Sequence, residues 1–228
     1  MGFSDFHGNA ETVRRLRDML ARERFPHAVI LSGARGSGKY TLALMLAQAL
    51  NCLAPSETDG LPDFCGQCSN CRRIAQAADL DARFAEAVET REGLREADKK
   101  DTRLFVQTHP DVLIVPPDPP QMMIKVDQVR RVIETIYYRP AEARERVYIF
   151  TDSAFMKEAA NSLLKVLEEP PEFATIFCSR RIRASCFRRF DPAPRRFPLR
   201  PCQWRRWNAI WRSTVQSGRC SNGRWWRS

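Results

Sequence analysis

The sequence predicts an α/β fold built on a parallel sheet, and three observations carry that prediction. Short apolar runs at 28–31, 112–115, 146–150 and 174–178 have the length and the bounding turn residues of buried strands. Helical patterns separate these runs, and strands that alternate with helices assemble in parallel. The first run ends in a glycine-rich loop that opens directly into a helix.

The elements follow in order. Val13, Leu16, Met19 and Leu20 fall on one face of a helix over 11–24. Ala28-Val29-Ile30-Leu31 forms the first strand and stops at Ser32-Gly33. Residues 41–50 read as a helix, and 52–71 as a loop that holds four of the eight cysteines. Residues 75–107 are rich in alanine and charge and read as an exposed helical insertion. After the strand at 112–115, Pro116, Pro117, Pro119 and Pro120 force a loop. Asp127 stands where it would cap a helix running to about Tyr137. The third strand, a helix over 159–168 and the fourth strand complete the pattern.

The chain has 228 residues and a formal charge of +10, but that charge is uneven. From Ser179 onward there are 14 Arg, no Lys and one acid, Asp191, so these last 50 residues carry +13 and the first 178 carry −3. All five Trp lie in the same segment. No apolar run reaches the roughly 18–20 residues of a membrane span. The first residues lack the basic-then-apolar order of a signal peptide, and Phe6 stands where a myristoylation signal needs Ser or Thr. A cytoplasmic location is the expectation, with the cysteines read as thiols or metal ligands before disulfides.

Gly33-Ala34-Arg35-Gly36-Ser37-Gly38-Lys39 has the context of a phosphate-binding loop, between a strand and a helix. Small residues let backbone N–H groups approach phosphate oxygens, a lysine reaches the outer phosphates, and the helix N-terminus adds positive potential. The alternative is a glycine-rich turn before an ordinary helix. The loop predicts ATP or ADP binding, but the position after Lys39 calls for Ser or Thr as a Mg²⁺ ligand. Here it holds Tyr40, with Thr41 one residue late. The acid expected at the end of a later strand is also eroded. Thr151-Asp152 follows 147–150, and either Thr151 takes the metal-side place or, one residue out of register, Asp152 does. Asp152 as a helix N-cap is the structural alternative. Weak or absent ATP hydrolysis follows, with Mg²⁺ chemistry in doubt and no residue assigned as a catalyst.

Cys65-x2-Cys68-x2-Cys71, with Cys52 upstream, offers four thiolates for tetrahedral Zn²⁺. A redox CxxC pair would leave two cysteines unexplained, and the ferredoxin pattern with its Cys-Pro is absent. Four protein ligands leave no open position, so the predicted zinc is structural. Cys178, Cys186, Cys202 and Cys220 lack such spacing and are expected to bind nothing.

Several segments then line up with one family. They are Phe6-His7-Gly8-Asn9, Pro26-His27-Ala28, the glycine-rich loop, the four cysteines, His109-Pro110-Asp111, Val126-Asp127-Gln128-Val129-Arg130 and the run from Ala160-Asn161-Ser162 to Glu169-Pro170-Pro171. Over residues 6–178 the chain resembles the delta-prime subunits of the bacterial DNA polymerase III clamp loader, and more distantly the gamma/tau subunits. The resemblance implies an AAA+ P-loop NTPase core over 1–178, with a zinc module at 52–71 and the insertion at about 75–107. It implies partnership with gamma/tau and delta in a loader that opens the sliding clamp and closes it on primed DNA. Gamma/tau motors keep Ser/Thr and Asp-Glu where this chain has Tyr40 and Thr151, so the delta-prime stator is the nearer match. His109 matches a family position, although a polar residue at a strand entrance explains it better than chemistry does.

Beyond 178 the resemblance stops, and the sensor, Ser-Arg-Cys, lid and collar segments of the family are not recognisable. Ser179-Arg180 follows the strand directly and has Arg181 where Cys belongs. Three readings stand for residues 179–228. They are an out-of-frame translation of a GC-rich gene, which the absence of Lys favours; an Arg/Trp nucleic-acid arm; and a linker. Marginal stability and exposed apolar surface are expected for a core without its later elements.

Overall fold

A computed structural model describes residues 2–181. After a single 3-10 turn at Phe3–Asp5, the elements run α1 (Ala10–Ala21), β1 (Ala28–Gly33), α2 (Lys39–Asn51), β2 (Ser56–Thr58), β3 (Leu61–Asp63), α3 (Ser69–Ala75), α4 (Leu80–Glu92), α5 (Glu96–Asp101), β4 (Val106–His109), β5 (Val112–Val115), α6 (Val126–Ile136), β6 (Arg146–Phe150), α7 (Lys157–Glu168) and β7 (Ala174–Arg181). The main sheet has the order β1-β7-β6-β5-β4. Its first three pairings are parallel and the last, β5 with β4, is antiparallel.

Alternation along the strands divides the interior into two cores, because successive side chains of a strand point to opposite faces. Val29, Leu31, Ile114, Ile149 and Phe177 face α1, α2 and α3, where they meet Leu16, Leu42, Leu46 and Ile74. Ile30, Tyr148, Phe150 and Ile176 face α6 and α7, where they meet Val129, Val132, Ala160 and Leu163. The result is the expected α/β fold, arranged as three layers.

Five local expectations are corrected. Residues 52–71 are not simply loop, since β2 and β3 form a small antiparallel hairpin there and α3 begins at Ser69. The end of the insertion is not helical: β4 adds a fifth, antiparallel strand to the sheet through Val106 and His109, both buried. Asp127 does not cap α6. The cap is Lys125, whose N–H is taken by the Gln128 side chain at 2.9 Å, while Asp127 sits in the first turn and pairs with Arg103 at 2.8 Å. Asp152 does not cap α7, which starts after Met156; its carboxylate accepts from the Ser153 N–H at 2.6 Å. β7 also runs three residues past its expected end, because β1 supplies parallel partners as far as Gly33.

Candidate phosphate loop and metal centre

The loop between β1 and α2 turns on glycines. Gly36 and Gly38 have φ of +76° and +75°, a region that disfavours a Cβ. Gly38 also precedes the first residue of α2, and its carbonyl accepts from the Leu42 N–H at 2.8 Å. Lys39 is buried and folds back over the loop. Its ammonium donates to the Ala34 carbonyl at 2.5 Å and to the Gly33 carbonyl and Ser37 hydroxyl at 3.3 Å each. Ser37 in turn donates to Ala34 at 2.9 Å. Gly33, Gly36, Ser37, Gly38 and Lys39 are thus one compact unit at the start of a helix, a place suited to an anion.

Tyr40 leaves this unit. Its phenol donates to the Ala77 carbonyl at 2.5 Å, beyond α3, and burial pushes its pKa upward. Thr41 is exposed in the first turn of α2. Asp152 follows β6, at the same carboxyl end of the parallel strands as the loop but with β7 lying between β6 and β1.

The four predicted metal ligands are brought together. The sulfurs of Cys52, Cys65, Cys68 and Cys71 all lie within 4.8 Å of one another. A zinc ion with Zn–S of ~2.3 Å would need S···S edges of ~3.8 Å, so the set fits a tetrahedral ion. Backbone donors converge on it. The Gln67 and Cys68 N–H groups point at the Cys65 sulfur at 3.5 and 3.3 Å, the Cys65 N–H at Cys52 at 3.3 Å, and the Cys71 N–H at Cys68 at 3.5 Å. The bonds from Gln67 and Cys68 bring the Cys65 thiol down to about 6. Burial pushes Cys52 and Cys71 up. Cys68 is lowered, because the Cys71 and Leu53 N–H groups outweigh its burial. Cys178 is buried elsewhere, within the core that faces α6 and α7. Cys186, Cys202 and Cys220 lie outside the described residues.

His109-Pro110-Asp111 is structural. The His109 Nδ1 accepts from the Asp111 N–H at 3.1 Å, which puts the proton on Nε2, and burial together with Arg73 lowers its pKa. The Asp111 carboxylate takes the N–H groups of Ala141, Glu142 and Ala143 at 2.8–3.0 Å and an ion pair with Arg146 at 3.3 Å. Its pKa is lowered because these bonds outweigh the cost of burial.

Sequence reasoning missed the roles of two residues, one beside the loop and one beside the cysteine segment. Phe6 lies against Gly38, where a Cβ would come within 2.9 Å of the phenyl ring. Arg17, buried, donates to the carbonyls of Leu61 and Pro62 at 2.8 and 2.9 Å in the hairpin between the first two cysteines. An arginine on the apolar side of a helical pattern was the available signal for the second.

The family described as DNA polymerase III, delta subunit, matches residues 8–183. The tau subunit of DNA polymerase III from Escherichia coli (strain K12) is 31% identical over 171 residues, 75% of this chain and 21% of that protein. The delta' subunit of DNA polymerase III from Bacillus subtilis (strain 168) is 29% identical over 159 residues, 69% of this chain and 37% of that protein. A solved DNA polymerase III gamma subunit-related protein from Thermotoga maritima is 18% identical, covers 75% of this chain and 39% of its own, and has a TM-score of 0.43. The chain therefore spans about a fifth to two fifths of the length of these relatives. Among the described residues, no helix is long and apolar enough to cross a membrane.

Proposed function

The chain belongs to the DNA polymerase III delta-subunit family, and from that premise we propose that it is a delta-prime-like stator of the bacterial clamp loader. In this reading it stands with gamma/tau and delta subunits and helps load the sliding clamp onto primed DNA during replication in the cytoplasm. Residues 1–178 are its AAA+ core. Cys52, Cys65, Cys68 and Cys71 hold structural zinc, which supplies a fixed crosslink and no chemistry of its own. Gly33, Gly36, Ser37, Gly38 and Lys39 bind the phosphates of ATP or ADP, with Tyr40, Thr41 and Asp152 at the rim.

One observation carries the choice of stator over motor. Tyr40 stands where a motor needs a Mg²⁺-binding hydroxyl, and its phenol is committed to Ala77. The expected result is that the full chain with Mg²⁺-ATP releases no phosphate above background. A loader reconstituted with Lys39→Ala should still load the clamp. Steady turnover that Lys39→Ala abolishes would instead establish the gamma/tau-type motor. In the DNA-binder reading, deleting 179–228 removes DNA affinity and its salt dependence; unchanged affinity excludes that arm.

A further inference from the structure

The phosphate loop and the cysteine cluster lie at opposite ends of α2. Thirteen residues at ~1.5 Å each separate them by about 20 Å. Cys52 is the residue that ends the helix. Two routes of contact cross this distance.

The first runs along α3. Near the ligand end, the Gln48 side chain donates to the Cys71 carbonyl at 2.9 Å. Near the loop, Tyr40 donates to Ala77, which is fully buried just past α3. The segment that carries two ligands is thus bonded to α2 at both ends.

The second runs through the hairpin and the N-terminal residues. The β2–β3 hairpin lies between ligands Cys52 and Cys65. Its last residue, Asp63, is buried and accepts from the Phe3 N–H, with both oxygens at 3.2 Å. The Phe3 ring meets Phe64 edge to face at 5.4 Å, and the Arg17 guanidinium lies 5.4 Å from the same ring. The 3-10 turn then leads to Phe6, whose N–H returns to the Phe3 carbonyl at 3.1 Å. Its ring closes over Gly38.

We propose that Phe6 and Tyr40 are positioning residues through which metal occupancy at the cysteine cluster fixes the shape of the phosphate loop. The effect on nucleotide rests on the reading of 33–41 as a phosphate site; the effect on the loop itself does not. The physical reason is local. A loop with two glycines at positive φ has other conformations within reach, so contacts from outside must select one. An ion holding four sulfurs from three segments fixes the hairpin and α3. Without it Asp63 and Ala77 lose their fixed places, and the loop loses its cover and its side support.

The test is amide hydrogen exchange on the full chain, with metal bound and after removal by a chelator under reducing conditions. Removal should speed exchange at 34–40 about tenfold while 146–150 stays protected. The pair Phe6→Leu with Tyr40→Phe should retain one metal ion per chain. With metal bound it should exchange about fivefold faster at 34–40, the size of one net hydrogen bond, and removal should then add little. The proposal is overturned if removal leaves 34–40 unchanged, or speeds it equally in parent and variant. If removal also opens 146–150, the metal-bound variant decides: unchanged exchange at 34–40 overturns the coupling. Titration with a fluorescent ADP separates the two readings. Binding that weakens about tenfold on metal removal supports both. A metal-sensitive loop that takes up no ADP ends the nucleotide reading and leaves the coupling standing.

Discussion

Helices α2 and α4 have the same length, thirteen residues, and opposite fates. α2 is apolar on nearly all sides and is wedged between the sheet and α3, with Leu42, Leu46 and Ala43 wholly buried. α4 has one apolar stripe, Leu80, Phe84 and Val88, and none of its residues is fully buried. What fixes α4 is polar. Arg91 reaches the carboxylate of Asp118 at 2.6 Å, and Asp118 is completely buried and is shared with Lys125 at 3.2 Å. The lesson is that a helix can be placed by packing on every side or by one anchored charge. The sequence patterns of the two differ accordingly.

The sharpest way to break this comparison is to remove a side chain of each kind. Leu46→Ala should cost about 3–4 kcal/mol in denaturant unfolding, as for a large residue in a closed core. Arg91→Ala should cost about 2 kcal/mol by the same measurement, since a buried carboxylate loses one of its two cations. Phe84→Ala should cost less, about 1 kcal/mol, because the ring lies at the surface and is not fully buried. If Phe84→Ala proves as harmful as Leu46→Ala, α4 is packed more deeply than its exposure indicates. If Arg91→Ala is silent, the apolar stripe alone holds α4 in place.

The same contrast explains what could be read beforehand. Periodic, buried segments such as β1, α2, β6 and α7 announced themselves, because their pattern is set by facing a core. The four cysteines and the loop glycines were legible because their chemistry demands fixed residue types at fixed spacing. β4 was not legible: it is four residues long, sits at the edge of the sheet with an irregular register, and offers few core residues to set a period. The β2–β3 hairpin did leave a signal. Asp59-Gly60, at φ of +54° and +69°, is a turn dipeptide of the type that closes two-residue hairpins. The ties from Phe6 to Gly38 and from Tyr40 to Ala77 left none, since each joins residues more than 30 positions apart and nothing in either neighbourhood demands the other.

The pairing of β1 with β7 has a consequence for how the chain is made. Among the described residues, Ala28 to Gly33 find their sheet partners only at Ile176 to Arg181. On a ribosome adding roughly 5–20 residues per second, β1 waits many seconds for the strand beside it. The four cysteines, by contrast, all lie between residues 52 and 71, so their segment has emerged long before the sheet is complete, although α2 and α3 finish packing only when β6 and β7 arrive. The strand that leads into the glycine-rich loop, first of the sheet to emerge, is thus the one that waits for the last strand to be seated.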